Sequence, residues 1–193
     1  MTNHTNQISW VALQGNIEPF TRKLFSALTE LGILEQCQKL SIDHICVRLE
    51  DVASVDHLKQ QLVKVGQIIS SIPVNGREII IFQLSQALDL GPWHTYGVEL
   101  PYPKSSHSYA DGWEHVEFVL AGAENTMNGV RQAFKNTFLK LDKDQLAAEY
   151  AYREDEPQAA GDQTPNPTIS LKVNGIGLKF HARPIQAVVG FQA

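Results

Sequence analysis

Two hairpin signals restrict the possible folds of this chain more than any other feature of its sequence. The strand-like run GQIISSIPV is separated from REIIIFQL by Asn75-Gly76, and TISLKV is separated from IGLKFH by Asn174-Gly175. An Asn-Gly pair between two such runs favours a tight hairpin turn, and we expect type I′ at Asn75-Gly76. Each half of the chain is therefore predicted to contribute an antiparallel hairpin to a sheet.

The elements predicted around the two hairpins follow the same order in both halves. In the first half, a buried strand at residues 42–49 and an amphipathic helix precede the hairpin, and a further strand follows at residues 95–100. In the second half, a buried strand at residues 113–120 and a helix precede the hairpin, with AAEYAYRE between them as either a strand or a helix end. An amphipathic helix that begins after Asn16 precedes both halves. This order predicts an α+β fold.

Length and composition exclude several classes of protein. A chain of 193 residues buries roughly 70% of its unfolded surface, so we expect a single domain. The net charge is −5 and no window is rich in Lys and Arg, which argues against nucleic-acid binding. No apolar run reaches the roughly 18 residues of a membrane span, and the first residues do not resemble a signal peptide. With two cysteines and no CxxC pair, we expect a cytoplasmic protein.

Ionisable side chains interrupt one face of four predicted strands. Because successive side chains of a strand point to opposite faces, each run separates into an apolar face and a second face. The second faces carry His44, Glu99, His115 and His181. The same alternation places Asp43 and Glu114 on the apolar faces. A face open to solvent would carry Lys, Thr, Ser or Gln, so three imidazoles and a carboxylate favour the lining of a cavity.

The four side chains on these second faces have the chemistry of a metal site. Imidazole nitrogens and a carboxylate oxygen suit a divalent ion such as Mn, Fe, Co, Ni or Zn. Three neutral imidazoles and one carboxylate would leave such an ion with a positive charge that can polarise a bound oxygen. A strand histidine taken alone is more often a hydrogen-bonded core residue, so a buried hydrogen-bond network is the alternative.

Six segments carry a resemblance to a known family: DHICVRL, NGREIIIFQL, VELPYP, GWEHVEFVL, PNPTISL and LKFH. In order and spacing they resemble the bacterial YecM family, from about residue 17 to residue 186. That family is grouped with the vicinal oxygen chelate superfamily, which includes glyoxalase I, extradiol dioxygenases, methylmalonyl-CoA epimerase and antibiotic-resistance proteins. The resemblance implies two βαβββ modules, at residues 41–101 and 112–186, that form a cupped mixed sheet with helices outside. A helical segment at residues 1–40 would pack on them, giving one structural domain.

The resemblance also implies roles for individual residues. In the superfamily, the first and fourth strands of each module supply metal ligands, which correspond here to His44, Glu99, His115 and His181. Glyoxalase-like members have a glutamate in the last position, so Glu117 becomes the candidate general base; the alternative is that it orients a ligand imidazole. Arg48 shares the face of His44 and is expected either to bind an anionic oxygen of the substrate or to form a buried pair with Glu99 or Glu117.

The predicted function is that of a divalent-metal protein, with Mn, Fe, Co, Ni or Zn as the cofactor. We expect it to act on a small carbonyl, carboxylate or diol substrate by bidentate chelation, as a lyase, an isomerase or a dioxygenase. The alternative is a non-catalytic protein that holds a small ligand or a metal in the same cup. A monomer or a homodimer is expected, because paired modules complete their site within one chain.

Overall fold

The computed structural model describes residues 8–74, 76–104, 108, 110–157 and 165–191. Within these ranges the helices are α1 (Trp10–Gly15), α2 (Ile17–Glu30), α3 (Leu34–Cys37), α4 (Val52–Leu62), α5 (Met127–Thr137), α6 (Lys143–Glu149) and α7 (Ile185–Val188). The strands are β1 (Ser41–Arg48), β2 (Gly66–Val74), β3 (Arg77–Asp89), β4 (His94–Pro101), β5 (Gly112–Val119), β6 (Arg153–Asp155), β7 (Thr168–Val173) and β8 (Ile176–His181). None of the helices in these ranges is long and apolar enough to cross a membrane.

All of these strands belong to one eight-stranded mixed sheet with the order β2-β3-β4-β1-β5-β8-β7-β6. β1 pairs in parallel with β4, and β5 pairs in parallel with β8, whereas β1 and β5 meet antiparallel in the middle of the sheet. The order from β1 outwards through β4, β3 and β2 is therefore repeated from β5 through β8, β7 and β6. The predicted fold class is confirmed: a mixed α+β fold with helices around the sheet and an N-terminal helical segment.

The hydrophobic core lies between the helices and the apolar faces of the central strands. Phe180 of β8 stacks on Phe118 of β5 with ring centres 5.5 Å apart, and Phe134 of α5 meets Phe180 edge-on at 5.2 Å. Leu24 and Leu28 of α2 are fully buried in the same core. Burying a side chain of this size stabilises a fold by about 1.5–3 kcal/mol, so this face anchors the sheet.

The N-terminal segment contains more helix than the sequence predicts. Helix α2 begins after Asn16 as predicted, but α1 precedes it in a stretch for which the sequence predicts no helix. The Ser9 hydroxyl accepts the backbone N–H of Ala12, and Leu13 is fully buried. The indole N–H of Trp113 in β5 donates to the carbonyl of Leu13 at 2.9 Å. Tertiary contacts therefore stabilise a helix that is too short to form alone.

The second hairpin turn has the geometry expected of an Asn-Gly pair. Asn174 has φ 50° and Gly175 has φ 82°, and positive φ at both central residues is the requirement of a type I′ turn. In the first turn Gly76 has φ 81°, and the predicted turn residue Asn75 lies outside the described residues. The hairpins themselves, β2–β3 and β7–β8, are antiparallel as predicted.

The edge strand β6 is held by a small charged network around Glu154. The ambiguous AAEYAYRE segment contains the end of α6 and the start of β6. Arg131 donates to Glu154 at 2.6 and 2.9 Å, Lys143 at 3.0 Å and the Tyr152 hydroxyl at 2.6 Å. These hydrogen bonds, with Arg131 contributing most, lower the pKa of Glu154 to about 2.

We expect Glu154→Gln to destabilise the protein at pH 7 by about 1 kcal/mol, because Arg131 and Lys143 are half-exposed and solvent screens their charges. This corresponds to a melting temperature about 2–4 °C lower. Because the pKa of Glu154 is depressed in the folded state, its contribution is complete above the unfolded pKa of about 4.5 and is lost as the pH falls towards 2. Thermal melts at pH 7 and pH 3 test this. The difference in melting temperature between Glu154→Gln and wild type should be smaller at pH 3 than at pH 7. The control variant Glu156→Gln, on the same segment, should melt at the wild-type temperature at both pH values.

Candidate metal centre

Two rows of residues cross the four central strands, with one residue from each of β4, β1, β5 and β8 in order. The first row consists of the cross-strand neighbours Gly97, His44, Glu117 and Lys179. The second row consists of Glu99, Cys46, His115 and Gly177. When β1 is exchanged with β5 and β4 with β8, the positions of the two rows coincide, and His44 corresponds to His115. Each histidine lies between a glycine on one side and a different residue on the other, Glu117 for His44 and Cys46 for His115.

Each of these histidines lies against a glycine of the adjacent parallel strand. Gly97 is paired with His44, and Gly177 is paired with His115. A Cβ atom built on either glycine would lie 2.6 Å from the Cβ of its histidine, which is closer than real Cβ atoms approach. Glycine at both positions allows β4 and β8 to pass directly beside the imidazoles.

Two acidic side chains reach the site through irregularities in the β1–β5 pairing. In the pairing of β1 with β5, Asp43 is an extra residue between the paired residues Ile42 and His44. Glu114 is likewise an extra residue between the paired residues Trp113 and His115. A bulge of this kind re-aims the extra side chain. The prediction that Asp43 and Glu114 belong to the apolar faces is therefore wrong, because strict alternation does not hold where the register shifts.

Both bulge carboxylates contact the histidine that follows them in the sequence. Asp43 Oδ2 lies 2.9 Å from His44 Nδ1, and Glu114 Oε2 lies 3.0 Å from His115 Nδ1. A carboxylate beside Nδ1 holds the proton on that nitrogen and leaves Nε2 as the free ligand atom. An acidic residue directly before each first-strand histidine is a signal in the sequence that could have identified these pairs.

Glu117 occupies the centre of the site. Its Oε1 lies 3.2 Å from Nε2 of His44, 3.2 Å from Nε2 of His115 and 2.6 Å from Nζ of Lys179. Burial opposes its ionisation, but the charges of Lys179 and His44 outweigh burial and hold the pKa of Glu117 well below its ordinary value. Burial likewise opposes the charge on His44, yet Glu117 and Asp43 raise the pKa of His44 well above its ordinary value. In the metal-free protein, Glu117 is thus an ionised carboxylate surrounded by nitrogen atoms.

Glu99 completes the inner part of the site from β4. Its Oε2 lies 3.6 Å from His44 Nε2, and its Oε1 accepts the Cys46 thiol hydrogen at 3.3 Å. Ligand atoms of His44, Glu99 and Glu117 all lie within 4.8 Å of one another, and so do those of Cys46, Glu99 and His115. Glu99 therefore belongs to both groups and lies between the two histidines.

His181 lies on another side of the cluster. It follows Lys179 by two residues in β8, so Lys179 and not His181 is the register counterpart of Glu99. Its Nε2 is 3.6 Å from Asp43 Oδ2 and 3.5 Å from Glu117 Oε2, and its candidate ligand group consists of Asp43 and His44. Burial lowers the pKa of His181. Among the described residues, no group of ligand atoms within 4.8 Å of one another contains all four predicted ligands.

The central strands carry more negative than positive charge. β1, β4, β5 and β8 contain four carboxylates (Asp43, Glu99, Glu114 and Glu117) against Arg48 and Lys179, a formal charge of −2 with neutral histidines. Arg48 Nε donates to Glu114 Oε2 at 2.5 Å, so Arg48 pairs with the half-buried Glu114, which is neither of the two glutamates that the sequence predicts as its partner. A protonated His44 offsets one of these two negative charges, and a divalent cation that displaced this proton would balance both.

The site opens into a cavity of about 340 Å³. His44, Arg48, Glu99, Glu117 and Lys179 form part of its wall. Residues of both outermost strands, β2 and β6, line the same cavity, so the sheet curves around it. His115 and His181 are buried beneath this wall, with 3% and no exposed surface. A small molecule in the cavity would therefore meet His44 and the two glutamates directly.

Comparisons with known proteins place the chain in a family. The model of a family described as YecM protein matches residues 10–192. The protein YecM of Escherichia coli is 29% identical over 150 residues, covering 78% of this chain and 77% of its own length. An uncharacterised protein of Haemophilus influenzae is 27% identical over 197 residues, covering 99% and 98%. A solved structure described as the structural-genomics protein EC4020 shares the fold, with a TM-score of 0.76 and 25% identity over 98% of this chain and 96% of that one. The chain belongs to the YecM protein family.

Proposed function

We propose that this protein binds one divalent metal ion through His44, Glu99 and Glu117, with His115 as a further ligand. The observation that carries the proposal is the pair of carboxylate–imidazole contacts, Asp43 to His44 and Glu114 to His115. Each contact leaves Nε2 of its histidine facing the Glu117 carboxylate. Preorganised imidazoles with an orienting carboxylate are the arrangement that metal sites use. This proposal retains the predicted ligands His44, Glu99 and His115 and replaces the fourth predicted ligand, His181, with Glu117.

Two further features support a metal at this position. His44 Nε2 is fully buried, and its 3.2 Å contact with Glu117 Oε1 lacks the alignment of a hydrogen bond, so a metal ion could bind both atoms in its place. The formal charge of −2 on the central strands matches the charge of one dication. Imidazole and carboxylate ligands favour Mn, Fe, Co, Ni or Zn.

The proposed activity belongs to the vicinal oxygen chelate type. When bound, such an ion would polarise the oxygen atoms of a carbonyl, carboxylate or diol substrate. Arg48 and Lys179 line the same cavity and would attract an anionic substrate to the ion. Glu117, the predicted general base, serves in this proposal as a metal ligand, because its lowered pKa makes it a poor proton acceptor. These properties suit a lyase, an isomerase or a dioxygenase acting on a small oxygen-rich molecule.

A second candidate is a non-catalytic protein that binds a small ligand in the same cavity. The observation that favours it is the 2.6 Å contact between Lys179 and Glu117. Lys179 occupies the register position equivalent to the ligand Glu99, and its ammonium group neutralises Glu117 without any ion. A buried pair of this kind stabilises the centre only when its geometry and additional hydrogen bonds are good.

Equilibrium dialysis distinguishes the two candidates. The purified chain is stripped with a chelator, dialysed separately against Mn²⁺, Co²⁺, Ni²⁺ and Zn²⁺, and assayed by elemental analysis. The metal proposal predicts about one ion per chain for at least one of these metals, retained through a second dialysis. Retention of none of them would contradict it and leave the non-catalytic candidate.

The bulge carboxylates provide a separate test of the ligand geometry. We expect Asp43→Asn and Glu114→Gln each to weaken metal binding by about 10- to 100-fold. A neutral amide is a weaker acceptor for the Nδ1 proton, and its own N–H group can force the proton onto Nε2. Titration calorimetry with the preferred metal measures the change. Asp56→Asn, whose partner is the Tyr102 hydroxyl, is the control and should bind as wild type does.

A further inference from the structure

The short helix α7 lies against the cavity, whereas the longer helices α2 and α5 pack on the apolar face of the sheet. Ile185 and Val188 of α7, and Val189 directly after it, line the cavity. Among the described residues, every other lining residue lies on a strand except Pro157 and Asn166, so α7 is the helix that covers this space. Val188 is only 2% exposed, which shows that the segment is docked on the sheet.

Two hydrogen bonds attach α7 to strands of the first half. The backbone N–H of Ile185 donates to Asp43 Oδ2 of β1 at 2.8 Å. The side chain of Gln186 donates to Gln83 Oε1 of β3 at 2.6 Å. A helix of four residues is too short to be stable alone, so its position depends on these bonds and on the burial of Val188. Because α7 follows β8 in the chain, it reaches from the second half of the sheet back to the first.

Asp43 connects α7 to the candidate metal centre. The oxygen that accepts the Ile185 N–H, Oδ2, also lies 2.9 Å from Nδ1 of His44 and 3.6 Å from Nε2 of His181. The Asp43 side chain is only 4% exposed, so water competes little for this oxygen. An orienting carboxylate that is itself held by a hydrogen bond keeps its imidazole in place, as outer partners do in metal sites. The docked position of α7 and the orientation of His44 therefore belong to one chain of hydrogen bonds.

We propose that α7 is a lid on the cavity, latched by the hydrogen bond from Ile185 to Asp43, and that it closes more firmly when the metal site is occupied. His44, once held at Nε2 by an ion, keeps Asp43 fixed as the acceptor of the latch. The coupling is reciprocal: the factor by which metal favours the docked lid equals the factor by which the docked lid favours metal. This coupling rests on the proposed function, whereas the latch itself requires no metal. A ligand enters while α7 is undocked and is separated from water once α7 docks.

Ile185→Pro removes the donor of the latch with little other change. Ile185 is the first residue of α7, where proline is favoured because that N–H has no partner within the helix. Pro184 before it has φ −56° and ψ 143°, the extended conformation that a residue before proline adopts. Ile185→Val retains the donor and has a side chain close to proline in size, so it is the matched control.

Hydrogen–deuterium exchange of α7 in chelator-stripped protein measures the latch. The backbone N–H groups of Val188, Val189 and Phe191 donate to carbonyls within the segment, so their exchange reports its opening. We expect exchange at least about 5-fold faster than wild type in Ile185→Pro and in Asp43→Asn, and unchanged in Ile185→Val. Proline also restricts the undocked chain, so faster exchange in Ile185→Pro comes from the lost hydrogen bond. Wild-type exchange rates in both Ile185→Pro and Asp43→Asn would overturn the proposal.

The same measurement with metal tests the coupling. Wild-type protein is equilibrated separately with Mn²⁺, Co²⁺, Ni²⁺ and Zn²⁺, and a retained ion should slow the exchange of α7 by about 3- to 10-fold. By titration calorimetry, Ile185→Pro should bind that ion about 3- to 10-fold more weakly than Ile185→Val, a smaller loss than removal of the Asp43 carboxylate causes. A retained ion that leaves the exchange unchanged would overturn the coupling and leave the metal proposal intact. Faster exchange in the two latch variants of a protein that retains no metal would refute the metal proposal and the coupling but confirm the latch.

Discussion

Replacing His44 or Glu99 with alanine should lower the affinity for the preferred divalent metal by more than about 100-fold. Removal of an orienting neighbour already weakens metal binding by about 10- to 100-fold, so loss of a direct ligand should cost more. His44 Nε2 is buried and has no aligned hydrogen-bond partner among the described residues. Glu99 belongs to two groups of candidate ligands, one with His44 and Glu117 and the other with Cys46 and His115. Titration calorimetry on each variant measures the change, with circular dichroism to show that the fold is intact.

His115 and His181 give opposite expectations in the same assay. His115→Ala should weaken metal binding strongly, because its Nε2 faces Glu117 at 3.2 Å. His181→Ala should change the affinity by less than about 10-fold, since His181 belongs to a group with Asp43 and His44 that does not include Glu99. A strong loss of affinity in both variants would show that the four strand positions, and not the bulge-oriented pairs, define the ligands.

Gly97→Ala should destabilise the sheet strongly. The added Cβ would lie 2.6 Å from His44 Cβ and 2.7 Å from the backbone carbonyl oxygen of Asp43. Because one of these atoms belongs to the backbone, β4 must move away from β1. We expect a loss of roughly 2–3 kcal/mol and a melting temperature about 5–10 °C lower.

Gly15→Ala is the matched control for this substitution. Gly15 ends helix α1, and a Cβ there meets nothing within 4 Å. Alanine favours a helix over glycine by up to about 1 kcal/mol, so this variant should melt at or slightly above the wild-type temperature. Equal melting temperatures for Gly97→Ala and wild type would mean that β1 and β4 are not in the contact described.

Much of the fold could be predicted because local signals and global topology agree. The Asn-Gly turns mark both hairpins, and the buried strands at 42–49 and 113–120 correspond to β1 and β5. Helix α1 was not predicted and β6 only as one of two alternatives, since both elements are short and depend on partners distant in the sequence. The indole of Trp113 holds α1, and the network around Glu154 holds β6.

The site was harder to predict because its decisive features lie in the pairing of strands. Alternation correctly brings His44, His115 and Glu117 to one face, but it cannot show where the register shifts. The bulges that turn Asp43 and Glu114 into the site depend on how β1 and β5 pair, and strand alternation alone does not show this pairing. Counting along one strand also cannot show that Lys179 is the counterpart of Glu99. That equivalence follows only from the parallel register of β8 with β5.

Anomalous diffraction from crystals grown with Co²⁺ tests the central claim most directly, because it locates the ion without assuming its ligands. The two carboxylate–imidazole pairs predict one strong peak among the side chains of His44, Glu99, His115 and Glu117, with the Lys179 ammonium displaced from Glu117. A peak between Asp43, His44 and His181, or peaks at surface residues alone, would contradict the account.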